Sequence, residues 1–328
     1  MNIGLIDVDS HNFPNLALMK ISAYHKAQGD NVEWCIPLLH YDIVYVSKTF
    51  GDEYSQMDTT VINADKVIYG GTGFAIKVVD GKEVYEKTDD GELPHEMEHM
   101  YPDYSLYPNL TKDTAYGFLT RGCPNNCGFC IVSKKEGLIS HKVADLSEWW
   151  NGQKNIVLMD ANLLACKEHM SLLRQLVDSG AKVDFAQGLD ARFINEDNIN
   201  LIKQVKIMTI HFAWDRMKFE KQIEKGLTLA REHLAHRGNE IVYMLTNFDT
   251  SIEEDLYRVQ RIKELGYYPD VRIYRKNALP KRHILRDLQR WCNNRFLYKS
   301  CAFEDYVPRS DGRKIKEIYK ECFTEGRE

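Results

Sequence analysis

Between residues 116 and 274 the chain alternates short apolar runs with longer amphipathic stretches, and no other feature restricts its fold so tightly. Residues 116–119, 156–160, 183–186, 207–212, 240–245 and 270–274 read as strands. Residues 169–179, 197–203, 219–235 and 253–265 read as the helices between them. Strands separated by helical crossovers imply a parallel sheet. Ligands of such sheets gather at the C-terminal ends of the strands, so residues just past each strand are the first to consider for function.

The N-terminal part opens as a βαβ unit, with a strand over 3–8, a helix over 16–26 and a strand over 31–35; further strands follow at 43–46 and 66–69. Residues 1–87 are therefore expected to form a small doubly wound, Rossmann-like domain. Residues 88–114 are polar, with acids, His95 and His99, and read as a linker packed across two domains. A chain of 328 residues, 44% hydrophobic, can bury a full core. Eight cysteines with neither a leader nor an 18-residue apolar run point to a reducing cytoplasm and to no membrane partner. A net charge of -5 argues against broad adhesion to nucleic acid, although residues 272–299 are locally basic.

Three of the cysteines lie in one run, Thr120-Arg121-Gly122-Cys123-Pro124-Asn125-Asn126-Cys127-Gly128-Phe129-Cys130. Three thiolates on a short loop can hold three corners of a four-iron cluster and leave the fourth iron for a small molecule. Phe129 is placed to cover that molecule's aromatic ring. The alternative is a closed Cys3His zinc site completed by His141, in a non-catalytic zinc or nucleic-acid binding module.

The run resembles the C-x3-C-x-aromatic-C signature of the radical S-adenosylmethionine (SAM) superfamily. The resemblance implies an α/β fold: a partial (β/α)6 TIM-like barrel over residues 115–278, preceded by the Rossmann-like domain and followed by a C-terminal helical extension over 279–328. It implies that Cys123, Cys127 and Cys130 bind a [4Fe-4S] cluster and that SAM, chelated to the open iron, is cleaved by one electron to give a 5'-deoxyadenosyl radical. An unidentified substrate would then lose a hydrogen atom, and an electron donor such as flavodoxin or ferredoxin would reduce the cluster.

By position after the strands, Asp160 and Asn162 would meet the SAM ammonium, with helix capping the other reading of Asp160. Arg192 would form a fork with the SAM carboxylate, and Gln187 and Asp190 would reach hydroxyl groups. The other reading of Asp190 and Arg192 is a loop salt bridge. Asp215 is the natural ribose acceptor, and Trp214 is either a stacking surface or core.

Asp9-Ser10-His11 also resembles the start of a cobalamin-binding domain. That resemblance makes His11 the lower cobalt ligand held by Asp9, lets Ser47-Lys48-Thr49 and Gly70-Gly71 house the nucleotide tail, and allows methyl transfer as the reaction. The other reading of His11 is a helix-capping or interface residue, the commoner role of a histidine in a βα loop. Cys292, Cys301 and Cys322 are read as buried or incidental thiols, or as an auxiliary cluster. The basic C-terminal stretch is read as a helix over 281–292 with Ile284, Leu285, Leu288 and Trp291 inward, or as an RNA-binding segment with Trp291, Phe296 and Tyr298.

Overall fold

The computed structural model describes residues 1–57, 62–79, 82–86, 92–234, 240–309 and 311–323. The end of the helix expected to reach Ala235 and the start of the segment expected at 88 lie outside them. Two parallel sheets carry the chain. The smaller uses β1 (Asn2–Asp7), β2 (Asn31–Trp34), β3 (Tyr41–Ser47) and β4 (Ala64–Gly70) in the order β2-β1-β3-β4, with α1 (Leu16–Ala27) between the first two. It is followed by an antiparallel hairpin of β5 (Ile76–Val79) and β6 (Lys82–Tyr85), and by the one-turn helices α2 (His95–Glu98) and α3 (Pro108–Thr111).

The remaining elements are β7 (Thr114–Gly117), β8 (Thr120–Arg121), α4 (Val132–Glu136), β9 (His141–Lys142), β10 (Asn155–Leu158), α5 (His169–Ser179) and β11 (Lys182–Phe185). After them come α6 (Glu196–Ile202), β12 (Lys206–Ala213), α7 (Glu220–His233), β13 (Ile241–Thr246), α8 (Ile252–Glu264) and β14 (Tyr268–Ile273), then α9 (Ile284–Asn293), α10 (Arg295–Ser300) and α11 (Ile315–Ile318). The larger sheet has six strands in the order β14-β13-β12-β11-β10-β7, so its order follows the chain. The six expected strands and the four helices between them are all present.

By compactness the chain divides into two units, Met1–Ala161 with Cys166–Asp184, and Asn162–Ala165 with Phe185–Glu328. In the first unit Ile3 and Leu5 of β1 pack with Leu18 and Ile21 of α1 and with Met97 of α2. Only α1 is a helical crossover of the small sheet; among the described residues β2, β3 and β4 are joined without helices, so the doubly wound arrangement is reduced to a parallel sheet with one βαβ unit. The segment read as a linker is docked in this unit. Met97 is buried in the β1–α1 core, Glu98 pairs with Lys20 at 2.8 Å, Asp103 accepts from Ser22 and Lys26 at 2.6 Å each, and the Tyr107 hydroxyl donates to Asp7 at 2.6 Å.

In the second unit α9 lies along β14 with Ile284, Leu285, Leu288, Trp291 and Cys292 buried, as its apolar spacing requires. Its polar side chains also serve the sheet edge. Asn293 Oδ1 accepts from the Val271 N–H at 2.8 Å, and Gln289 Nε2 donates to the Val271 carbonyl at 2.8 Å, so that part of the edge backbone is satisfied. On α7, a Cβ at Gly226 would stand 1.8 Å from the Ala191 carbonyl oxygen. Only glycine lets the helix lie this close to the turn that carries Asp190 and Arg192.

Candidate cofactor-binding site

The cysteine loop is closed at its base by a two-residue antiparallel ladder, Thr120 opposite Lys142 and Arg121 opposite His141. Gly122 follows with φ +87°, where a Cβ would stand 2.1 Å from the Ile139 carbonyl oxygen. The turn therefore requires glycine. Glu136, at the end of α4, accepts from Arg121 Nη1 at 2.8 Å and from the Gly122 N–H at 3.1 Å. Burial works against its charge, but the Arg121 cation and these donors prevail and hold its carboxyl below the usual range. The Cys123 N–H donates to the Gly137 carbonyl at 3.1 Å and the Cys130 N–H to that of Cys127 at 3.0 Å, so the loop is shaped by its own backbone. Cys123, Cys127, Cys130 and Phe129 are all half-buried, and none of the three cysteines is in a disulfide. Among the described residues no group of three or more His, Cys, Asp or Glu side chains is arranged to hold a metal ion.

Asp160, just past β10, is 3% exposed and does not cap a helix. Its Oδ2 accepts from the Leu119 N–H at 3.1 Å, and its Oδ1 accepts from the N–H and the hydroxyl of Thr120 at 2.5 Å each. The carboxylate expected to meet SAM is occupied with holding the start of the cysteine loop. Burial pushes its pKa up to about 6 against those three donors. Asp160→Ala would leave two buried N–H groups without an acceptor, at about 1–3 kcal/mol each. A loss of about 2–6 kcal/mol at pH 7 is expected in denaturant unfolding. Because the folded pKa exceeds the unfolded one, about 3.9, this group stabilises most below pH 4 and progressively less as the pH rises toward 6. The gap between wild type and variant should thus be wider at pH 4 than at pH 7; a gap that narrows toward low pH would contradict this role.

In the second unit the residues past β11 and β12 form a connected polar set. Asp190 binds Arg192 through two parallel bonds, Nε to Oδ1 at 2.8 Å and Nη2 to Oδ2 at 2.6 Å, and also accepts from Asn162 Nδ2 at 3.0 Å. The loop salt bridge is therefore formed, and the Arg192 guanidinium lies 4.4 Å from the centre of the Phe219 ring. Asp215 accepts from the Leu245 N–H at 2.9 Å. Burial raises its pKa, against that N–H and the cations Arg258 and Arg192, with Asp190 adding to the rise. Gln187 is exposed, whereas Trp214 is fully buried and belongs to the core. Arg258, on α8, is also fully buried. Its Nη1 donates to the Trp214 carbonyl at 2.6 Å, and its Nη2 donates to the Leu245 carbonyl at 2.9 Å and to Asp255 at 2.5 Å. One side chain thus fixes the strand ends on both sides of Asp215.

The N-terminal expectation is corrected. Asp9 is 2% exposed, and its carboxylate accepts from the Thr49 and Phe50 N–H groups at 2.7 and 2.9 Å rather than holding His11, which is exposed at φ +43°. The two segments expected to house a nucleotide tail pack directly on each other. Cβ atoms at Gly71 and Gly73 would stand 2.4 Å from the carbonyl oxygens of Lys48 and Phe50, and Lys48 itself is buried. These residues do not fit cobalamin. Near the C-terminus Cys292 is buried, with its thiol pKa pushed well up by desolvation, and Cys301 and Cys322 are half-buried. With the other described residues they form no metal-holding group.

Sequence reasoning missed Arg258 and Asp255, yet both fall on the stripe of Val259 and Ile262 on α8, where apolar residues belong. It also missed β8, β9 and Glu136. Among the described residues no helix is long and apolar enough to cross a membrane. No protein-family model and no curated protein matches the chain.

Proposed function

We propose that the protein is a radical SAM enzyme whose larger sheet is the partial (β/α)6 barrel of that superfamily. The observation that carries this reading is the loop of three thiols, closed by a two-residue ladder and by the Gly122–Glu136 turn. Its donor set suits iron: soft thiolates, one fewer than a closed site needs, on a backbone that stays folded by its own hydrogen bonds. Cys123, Cys127 and Cys130 would hold a [4Fe-4S] cluster, and Phe129 would lie against an aromatic ring of its ligand. The cluster, when bound, supplies the electron that cleaves SAM at a sulfur–carbon bond.

Asn162, Gln187, Asp190, Arg192 and Asp215 would hold SAM. Asp190 takes Nε and Nη2 of Arg192 and keeps the guanidinium in a fixed plane, so a SAM carboxylate would be met by the remaining Nη1 rather than by a fork. Asp160 acts on the loop and not on the cofactor. Because the N-terminal residues do not fit cobalamin, the reaction proposed is hydrogen-atom abstraction from an unidentified substrate, with flavodoxin or ferredoxin as the class of electron donor.

Protein purified without oxygen is expected to be brown, to contain iron and sulfide, and to release 5'-deoxyadenosine from SAM on reduction. Colourless protein with stoichiometric zinc would overturn the reading.

A further inference from the structure

A second set of side chains of metal-ligating type lies in the first unit, on α2. His95-Glu96-Met97-Glu98-His99 has the spacing that puts two imidazoles on one face of a helix, and the His99 N–H does donate to the His95 carbonyl, at 3.2 Å. The two rings are exposed, with their centres 4.5 Å apart. The turn between them is held in place on its other side: Met97 is buried in the β1–α1 core and Glu98 is paired with Lys20.

His99 is oriented as well. Its Nδ1 lies 2.8 Å from Glu148 Oε2, and Glu148 Oε1 in turn accepts from the Asp145 N–H at 2.8 Å. A carboxylate against Nδ1 favours the tautomer that leaves the Nε2 lone pair free for a ligand, the arrangement that orients metal-bound histidines. Behind the turn lies a cavity of about 20 Å³ with room for about one water. It is lined by Lys20, Glu98, His99, Glu148 and Trp149, whose buried indole N–H has no hydrogen-bond partner among the described residues.

We propose that His95 and His99 form a two-imidazole site for a divalent cation of the zinc class, with water completing the coordination and Glu148 as the positioning residue for His99. Imidazole suits zinc, copper and nickel rather than magnesium or calcium. With two protein ligands the site binds and cross-links a surface turn; it lacks the third ligand of a hydrolytic zinc centre.

The test is a Zn²⁺ titration of the full chain, followed by the imidazole nitrogen resonances in long-range proton–nitrogen spectra. The Nε2 signals of His95 and His99 should shift together on adding zinc. His95→Ala or His99→Ala should weaken the affinity read at the remaining imidazole at least tenfold, and Glu148→Gln should weaken it by about tenfold, the scale of an orienting carboxylate. None of these variants should change iron content or SAM cleavage. Zinc that moves only signals of other residues, or an affinity indifferent to both histidine variants, would overturn the proposal.

Discussion

Cys127→Ala is expected to lose iron and, with it, all reductive cleavage of SAM, while the protein stays folded. The thiol is half-buried, and its removal touches neither the two-residue ladder nor the hydrogen bonds of Glu136 that shape the loop. Substitutions away from packed or buried polar features change stability by no more than about 0.5 kcal/mol, so thermal unfolding of the two metal-free proteins should coincide. Two remaining thiolates cannot retain a cluster that requires three. Iron analysis, sulfide analysis and 5'-deoxyadenosine release, measured on the same anaerobic preparation, should therefore fall together. Iron retained by the variant, or cleavage surviving its loss, would refute the assignment of the loop.

Arg258→Ala is expected to cost about 3–5 kcal/mol of unfolding free energy, the scale found when one partner of a buried ion pair is removed. Asp255 would be left as a buried carboxyl, and the carbonyls of Trp214 and Leu245 would each lose a donor. Against a typical total of about 5–15 kcal/mol, this is a large share. The loss should be mostly recovered in the double variant Arg258→Met/Asp255→Leu, because apolar residues of similar volume often replace a buried pair without penalty. Thermal and denaturant unfolding of the single and double variants distinguishes the cases. A single variant within about 1 kcal/mol of wild type would mean that the pair behaves like a surface salt bridge.

The order of the large sheet was legible because period and length both speak there: apolar runs of strand length recur between helices whose buried residues keep a 3.6-residue spacing. α9 was legible for the same reason, its buried Ile284, Leu285, Leu288 and Trp291 standing on one face. Part of what escaped had no periodic signal: two-residue strands such as β8 and β9 are too short to show alternation. The hairpin of β5 and β6 was legible but overlooked, because Asp80-Gly81 between Ile76–Val79 and Lys82–Tyr85 is a hairpin signal. The partners of Asp160 stand some forty residues upstream in sequence, so its position after a strand suggested a ligand where the fold uses an anchor. Asp9 misled similarly: its partners at Thr49 and Phe50 become neighbours only when β3 pairs with β1. Asp255 and Arg258 were hidden by their charge, since an amphipathic helix suggests charged residues in solvent, and only their phase with Val259 and Ile262 betrays them.

In the larger sheet each strand lies beside the strand that precedes it in that sheet. Four of its five pairings close one helical crossover, whereas β10 joins β7 only after residues 118–154, which hold the cysteine loop and the β8–β9 ladder. Such a sheet can be assembled during translation, each new strand adding to an edge already formed as it leaves the ribosome. The small N-terminal sheet differs, because once β2 has paired with one edge of β1 the chain must cross to the opposite edge, where β3 pairs. Its assembly is the step of the folding route most exposed to competition from wrong pairings.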